Sequence, residues 1–223
     1  MTLSATRNDA DRVAPSEALR RTGVVAVLRA DSPEYLLPAA RTLVGEGLVC
    51  LELTMTTPGA LDSLRLLRAE FGDSADVGLG SVRGAEAARR ALEAGAAFLV
   101  SPVLDLAMVA ECVAAGVPAY PAGITPTELI TVWDAGASAV KLFPAGTVGP
   151  AHLKAVREPL PELAIMPTGG IGVDDVGTWI RAGALAVGLG GSLSGDALRG
   201  GDLGALADRA ARALAGARRE TGS

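Results

Sequence analysis

One phrase recurs along this chain: a helical stretch, a glycine, then a short apolar run of β type. Residues 44–47 lead into 48–54, residues 93–95 into 98–100, and residues 114–116 into 118–121. The phrase returns ahead of the runs at 139–144 and 185–190. Gly23, Gly72 and Pro161 fill the gaps, preceding residues 24–28, 76–80 and 163–166. The eight junctions fall at 23, 47, 72, 95, 116, 136, 161 and 183, spaced by 20 to 25 residues. Seven of them offer a glycine, which takes the left-handed backbone that closes a helix before the chain turns into a strand. Strand and helix alternating eight times predict an α/β chain folded as a single (β/α)8 TIM barrel domain spanning residues 1–223. An open doubly wound sheet is the alternative, but it usually has fewer units and a less even period.

Between the junctions the pattern is helical. Residues 34–43 and 60–69 place Leu and Ala three and four apart, with Arg and Glu on the other face. Ser32-Pro33, Thr57-Pro58 and Thr125-Pro126 signal helix starts, each a capping residue before a proline at the first helical position. Residues 14–22 read as an extra N-terminal helix, the barrel runs over about 23–200, and residues 202–219 read as a closing helix. Arg212, Arg218 and Arg219 lie toward the C-terminal end of that last helix. Residues 1–15 are polar, are expected to be frayed, and lack the apolar region of a signal peptide. No apolar run approaches the roughly 18 residues of a membrane span, so a cytoplasmic protein without a membrane partner is expected. A net charge of −5 with no basic run argues against nucleic acid as a partner. Cys50 and Cys112 sit among apolar neighbours and read as buried free thiols rather than a disulfide framework. The single histidine, His152, has no matching acid or nucleophile and reads as structural. With no Cys/His cluster a zinc site is not expected, although a carboxylate-bound magnesium stays open on that count.

In a barrel of this kind chemistry sits at the C-terminal ends of the strands. The chain carries twenty basic residues, yet only two are lysines, Lys141 and Lys154. Lys141 is set between Val140 and Leu142 in the apolar run 139–144. Desolvation favours a neutral amine, the form that attacks a carbonyl. The bland alternative is a strand lysine snorkelling to the surface. Strand alternation turns Leu51 and Leu53 toward the helices and Glu52 with Thr54 inward; it sets Lys141 inward in the same way. The second and sixth strands are both even-numbered, so their inward residues fall in related layers and can meet across the axis. A buried ion pair without chemistry is the structural alternative, but such pairs are not reliably stabilising. An amine beside an acid is also what imine chemistry requires: the amine attacks a ketone, and the acid protonates the departing hydroxyl and moves the substrate's proton.

Two glycine turns follow the last strands. Thr168-Gly169-Gly170-Ile171-Gly172 and Gly190-Gly191-Ser192 resemble the phosphate cup that many barrels build there from backbone N–H groups. Arg29, at the end of the first strand, offers a fixed charge for an acidic substrate or stands as a surface arginine. Ser81 reads equally as a helix cap ahead of Gly84 or as a substrate contact.

Taken in order, Val27-Leu28-Arg29-Ala30, residues 51–56, residues 78–82, Lys141-Leu142-Phe143-Pro144, residues 167–171 and Gly190-Gly191-Ser192 closely resemble the 2-keto-3-deoxy-6-phosphogluconate (KDPG) aldolases. That family also includes the 4-hydroxy-2-oxoglutarate (KHG) aldolases. The resemblance implies a class I aldolase: a homotrimeric barrel with no metal and no cofactor beyond an imine on Lys141. Its substrate would be a phosphorylated 2-keto acid, cleaved to pyruvate and glyceraldehyde 3-phosphate. On this resemblance Lys141 is the Schiff-base lysine and Glu52 the general acid/base. Phe143 is similar to the aromatic beside the imine and Pro102 to a wall of the pyruvate pocket. Ser81 stands where threonine is usual near the pyruvate carboxylate. Thr168, Gly169, Gly170, Gly191 and Ser192 match the phosphate end. Thr56 stands where some members hold substrate with arginine, and Arg29 resembles the arginine found at the end of strand one. Pro167-Thr168 looks more like the gluconate than the galactonate enzymes. A phosphogalactonate- or hydroxyglutarate-type aldolase is the alternative within the family. Outside it stand a phosphate-binding isomerase using Glu52 as base without an imine, and a non-catalytic sugar-acid sensor.

Overall fold

All seven junction glycines adopt the left-handed backbone their position calls for. In the computed structural model, which describes residues 12–218, their φ angles run from +52° at Gly72 to +106° at Gly136. Each follows a helix; six lead on toward a strand, and Gly72 opens a 3-10 turn (Gly72–Ser74) ahead of one. The helices are α1 (Glu17–Thr22), α2 (Leu36–Gly45), α3 (Ala60–Phe71), α4 (Gly84–Glu93), α5 (Leu106–Ala115), α6 (Pro126–Asp134), α7 (Gly149–Arg157), α8 (Val176–Arg181), α9 (Gly191–Ser194) and α10 (Leu203–Ala217).

The strands are β1 (Val24–Leu28), β2 (Cys50–Thr54), β3 (Asp76–Gly80), β4 (Leu99–Val100), β5 (Ala119–Tyr120), β6 (Ala122–Gly123), β7 (Val140–Leu142), β8 (Ile165–Pro167) and β9 (Val187–Leu189). They form two parallel sheets, ordered β5-β4-β3-β2-β1-β9 and β6-β7-β8. The fifth strand expected at 118–121 is divided at Pro121, which has no N–H to give to a ladder. Its carbonyl still accepts the Lys141 N–H at 2.8 Å, so the two sheets abut along one continuous stretch. At the other seam the Leu185 N–H reaches the Ile165 carbonyl at 2.8 Å, and Thr168 bridges Gly188 in parallel.

Period-two alternation sorts the strand residues into layers. Outward-facing Leu51, Leu53, Leu79, Val140 and Leu142 pack with helix residues such as Leu64, Leu67 and Leu129 in the larger core. A second core, containing Val25, Cys50, Phe98, Tyr120, Ala139, Met166 and Ala186, draws on strands of both sheets. The next inward layer along the chain is two residues further on: Val27, Glu52, Lys141, Thr168 and Gly188 border a cavity rather than fill it. An apolar plug therefore lies directly beneath the polar layer.

Several local expectations shift. Thr125 forms the capping box, with Glu128 reaching back to the Thr125 N–H at 2.9 Å. Thr57-Pro58 does not start a helix: α3 is capped by Gly59 at φ +65°, and the Thr57 hydroxyl accepts the Ala30 N–H at 3.3 Å. Ser32-Pro33 opens a 3-10 turn (Pro33–Tyr35) ahead of α2 rather than α2 itself. The N-terminal helix begins at Glu17, with the Ser16 hydroxyl accepting the Leu19 N–H at 3.1 Å. Of residues 1–15, expected to be frayed, 1–11 lie outside the described residues, as does Arg219. Arg12 is anchored, stacked 3.7 Å from the Trp133 ring and donating to the Trp133 and Ala137 carbonyls at 2.7 Å each. Cys50 and Cys112 are buried and unpaired, and burial pushes both thiols up to about 12. No described helix is long and apolar enough to cross a membrane.

Candidate active site

β2 and β7 bring the acid and the amine together. Glu52 is 1% and Lys141 5% exposed, and Lys141 Nζ stands 3.8 Å from Glu52 Oε1. That separation is an ion pair too long for a hydrogen bond. Glu52 Oε2 is buried and has no hydrogen-bond partner. Burial raises the Glu52 carboxyl above the ordinary carboxylate range, while the charges of Lys141 and Arg29 pull the other way. The result is an acid able to hold or give up a proton, with one oxygen uncommitted.

The acid's place depends on its ladder partner. Gly80 pairs with Thr54 across β2 and β3, and a methyl group there would overlap Glu52 Oε1. In the sequence Gly80 only ends the apolar run 76–80. The signal was a glycine whose register puts it beside an inward carboxylate.

A cavity of about 400 Å3 opens on this pair. Around it the structure gathers Arg29, Ser81, Pro102 and Phe143, with Nζ of Lys141 5.3 Å from the Phe143 ring centre. Thr54 borders it as well. Thr56 is not brought in. The chain turns away after β2, with the Thr57 N–H returning to the Thr54 carbonyl at 2.9 Å. Thr56 is left exposed, its hydroxyl donating to Thr54 Oγ1 at 3.1 Å. Ser81 does not cap a helix: α4 is preceded by Arg83, and Asp105 Oδ2 takes the Gly84 N–H at 2.6 Å. Ser81 instead borders the cavity and is the one non-glycine with positive φ among the described residues, at +59°, a backbone conformation that costs about 1 kcal/mol or more. His152 binds the Ile124 carbonyl at 2.8 Å, away from the cavity lining.

The opposite wall is the pair of glycine turns. Thr168, Gly169, Gly170, Gly191 and Ser192 border the cavity, as do Ile171, Gly172 and Gly190. Gly169 at φ +89° and Gly170 at φ +73° need glycine, and a Cβ on Gly169 would lie 2.9 Å from the Phe143 ring. Among the described residues the N–H groups of Gly170 and Gly172 find no backbone acceptor. Gly191 and Ser192 open α9, and the first N–H groups of a helix have no partner inside it. The Ser192 hydroxyl proton is committed to the Ile171 carbonyl at 2.6 Å, so this serine ties the two turns together.

A larger cavity, about 870 Å3, lies at the far end of the strands beside Arg157, Arg181 and Arg218. Glu162 lines it too, but no lysine does, and amine chemistry is better placed in the smaller one. Among the described residues no group of three or more His, Cys, Asp or Glu is arranged to hold a metal ion.

The chain also matches known proteins. A family model described as KDPG and KHG aldolase matches residues 16–207. The 2-dehydro-3-deoxy-phosphogluconate aldolase of Treponema pallidum is 35% identical over 165 residues, covering 74% of this chain and 78% of its own. The 2-dehydro-3-deoxy-6-phosphogalactonate aldolase of Escherichia coli is 29% identical over 171 residues, covering 76% and 83%. A solved structure of the KDPG aldolase from Legionella pneumophila, with pyruvate captured at low pH as a covalent carbinolamine intermediate, superposes with a TM-score of 0.79. It is 26% identical and covers 87% of this chain and 95% of that one. The chain is an aldolase, a lyase, and belongs to the KDPG and KHG aldolase family.

Proposed function

We propose that this aldolase works through an imine on Lys141 and cleaves 2-keto-3-deoxy-6-phosphogluconate to pyruvate and glyceraldehyde 3-phosphate. The observation that carries the reading is the buried Lys141–Glu52 pair, 3.8 Å apart with Glu52 Oε2 unpartnered. The neutral Lys141 amine adds to the C2 ketone, forming a carbinolamine. Glu52 gives its proton to the departing hydroxyl, water leaves, and a positively charged imine remains. Now a carboxylate, Glu52 takes the proton from the C4 hydroxyl. The C3–C4 bond breaks, its electron pair moves toward the imine nitrogen, and glyceraldehyde 3-phosphate departs. Glu52 returns the proton to C3 of the enamine, and water hydrolyses the imine, freeing pyruvate and the Lys141 amine and giving a proton back to Glu52. Phe143 walls the imine from solvent, and Pro102 and Ser81 border the pyruvate end. The N–H groups of the glycine turns receive the phosphate, with Arg29 adding a fixed charge.

The same reading keeps one domain whose two sheets close into an eight-stranded barrel; the contacts at both seams support it. Pro167-Thr168 favours the gluconate acid, as does the name of the Treponema pallidum relative. A homotrimer in the cytoplasm follows from the family resemblance and from the two free thiols. A coupled pyruvate-release assay on phosphogluconate-, phosphogalactonate- and hydroxyglutarate-type keto acids tests the substrate. The first should give the largest kcat/KM; a larger value on either of the others assigns the enzyme to that acid instead.

The cycle starts with one proton shared by the Lys141–Glu52 pair, so activity is lost where falling pH adds a second and leaves Glu52 protonated beside a charged Lys141. Burial raises the Glu52 pKa, so the acidic limb of kcat/KM should lie above the ordinary glutamate value of about 4.3. A limb at or below that value would contradict the assignment of Glu52 as base.

A further inference from the structure

We infer that Arg209, which does not border the cavity, is a positioning residue for the substrate's phosphate end. It lies half-buried on α10, behind α9. Its Nε donates to the Leu193 carbonyl at 2.5 Å and its Nη2 to the Ser194 carbonyl at 2.9 Å. α9 is a single turn, and the Gly195 N–H closes onto the Gly191 carbonyl at 2.8 Å. One turn does not hold itself, because helix nucleation is unfavourable. Its last carbonyls are the groups that a helix leaves unpaired, and a cation there is favourable. Gly195 makes the approach possible, since a Cβ on it would lie 2.7 Å from Nη2 of Arg209.

The front of the same turn carries Gly191 and Ser192 at the cavity, and Ser192 holds Ile171 in the other glycine turn. Restraint therefore passes from Arg209 through α9 to both halves of the cup. A second α10 arginine, Arg212, meets both carboxylate oxygens of Asp174 at 3.0 Å. Both side chains are mostly exposed, so that pair contributes little.

This inference rests on the reading of the cup as the phosphate site, and its test separates the two. Arg209→Ala should raise KM for 2-keto-3-deoxy-6-phosphogluconate about 10-fold while kcat stays within about twofold. Competitive inhibition by inorganic phosphate should weaken in parallel. Deuterium exchange of the pyruvate methyl group, which needs Lys141 and Glu52 but no phosphate, should be unchanged. Arg209→Lys should restore part of the KM, because an ammonium can reach one of the two carbonyls. If Arg209→Ala does not fold, Arg209→Gln, which keeps one donor group, carries the same comparison. Equal losses in cleavage and pyruvate exchange, or no change in KM and phosphate inhibition, would overturn the role of Arg209. A wild-type enzyme that phosphate does not inhibit would overturn the phosphate reading of the cup first, and this inference with it.

Discussion

Lys141→Ala should lower kcat/KM for aldol cleavage by about 10^4-fold or more, whereas Lys154→Ala should leave it unchanged. Lys141 is buried on β7 at the cavity, and Lys154 is exposed on α7. No other lysine can substitute, since the chain has two. Without the amine no imine forms, and the C3–C4 bond has no sink for its electrons. The fold should survive the substitution. It removes a poorly hydrated amine, and burial already favours the neutral form of the Glu52 left behind. Pyruvate release in a coupled assay, with thermal unfolding as the folding control, reads both effects. Cleavage by Lys141→Ala at even about a hundredth of the wild-type rate would require another route.

Glu52→Gln should reduce kcat by about 10^2- to 10^4-fold and leave imine formation detectable. The amide keeps the shape of the side chain and loses the transferable proton. A second substitution reaches the same acid without changing its chemistry. Gly80→Ala puts a methyl group where Glu52 Oε1 lies, so the carboxyl group must move or the strands must part. Overpacking of this kind costs about 1–3 kcal/mol of stability, and the displaced acid should lose a similar share of kcat to that lost by Glu52→Gln. The double variant should be scarcely slower than Glu52→Gln, because the two changes remove one function. Independent, multiplicative losses would mean that Gly80 serves something other than the acid.

What could be read from the chain beforehand was local. A glycine at the end of a helix and period-two alternation in an apolar run are written within a few residues, so the junctions and the inward set of Glu52 and Lys141 were legible. A lysine in an arginine-rich chain, placed between Val140 and Leu142, carries its own contradiction of composition. The rest depends on neighbours distant in sequence. The missing N–H of Pro121 is local, but that the two sides of the divided strand join different sheets is not. Gly80 matters only through its register with β2. Thr57 looked like a helix cap, yet tertiary contact with Ala30 competes for its hydroxyl. Thr56 sits close to the acid in sequence, and a turn carries it off the cavity. Arg209 could not be found, since its partners are two backbone carbonyls and a carbonyl leaves no mark on the sequence.

Borohydride reduction in the presence of pyruvate, followed by peptide mass spectrometry, tests the covalent role of Lys141 most directly. The buried amine should be trapped as a stable secondary amine, with the added mass on the peptide containing Lys141 and activity lost in proportion. An adduct on Lys154 alone, or none on a fully active enzyme, would contradict it.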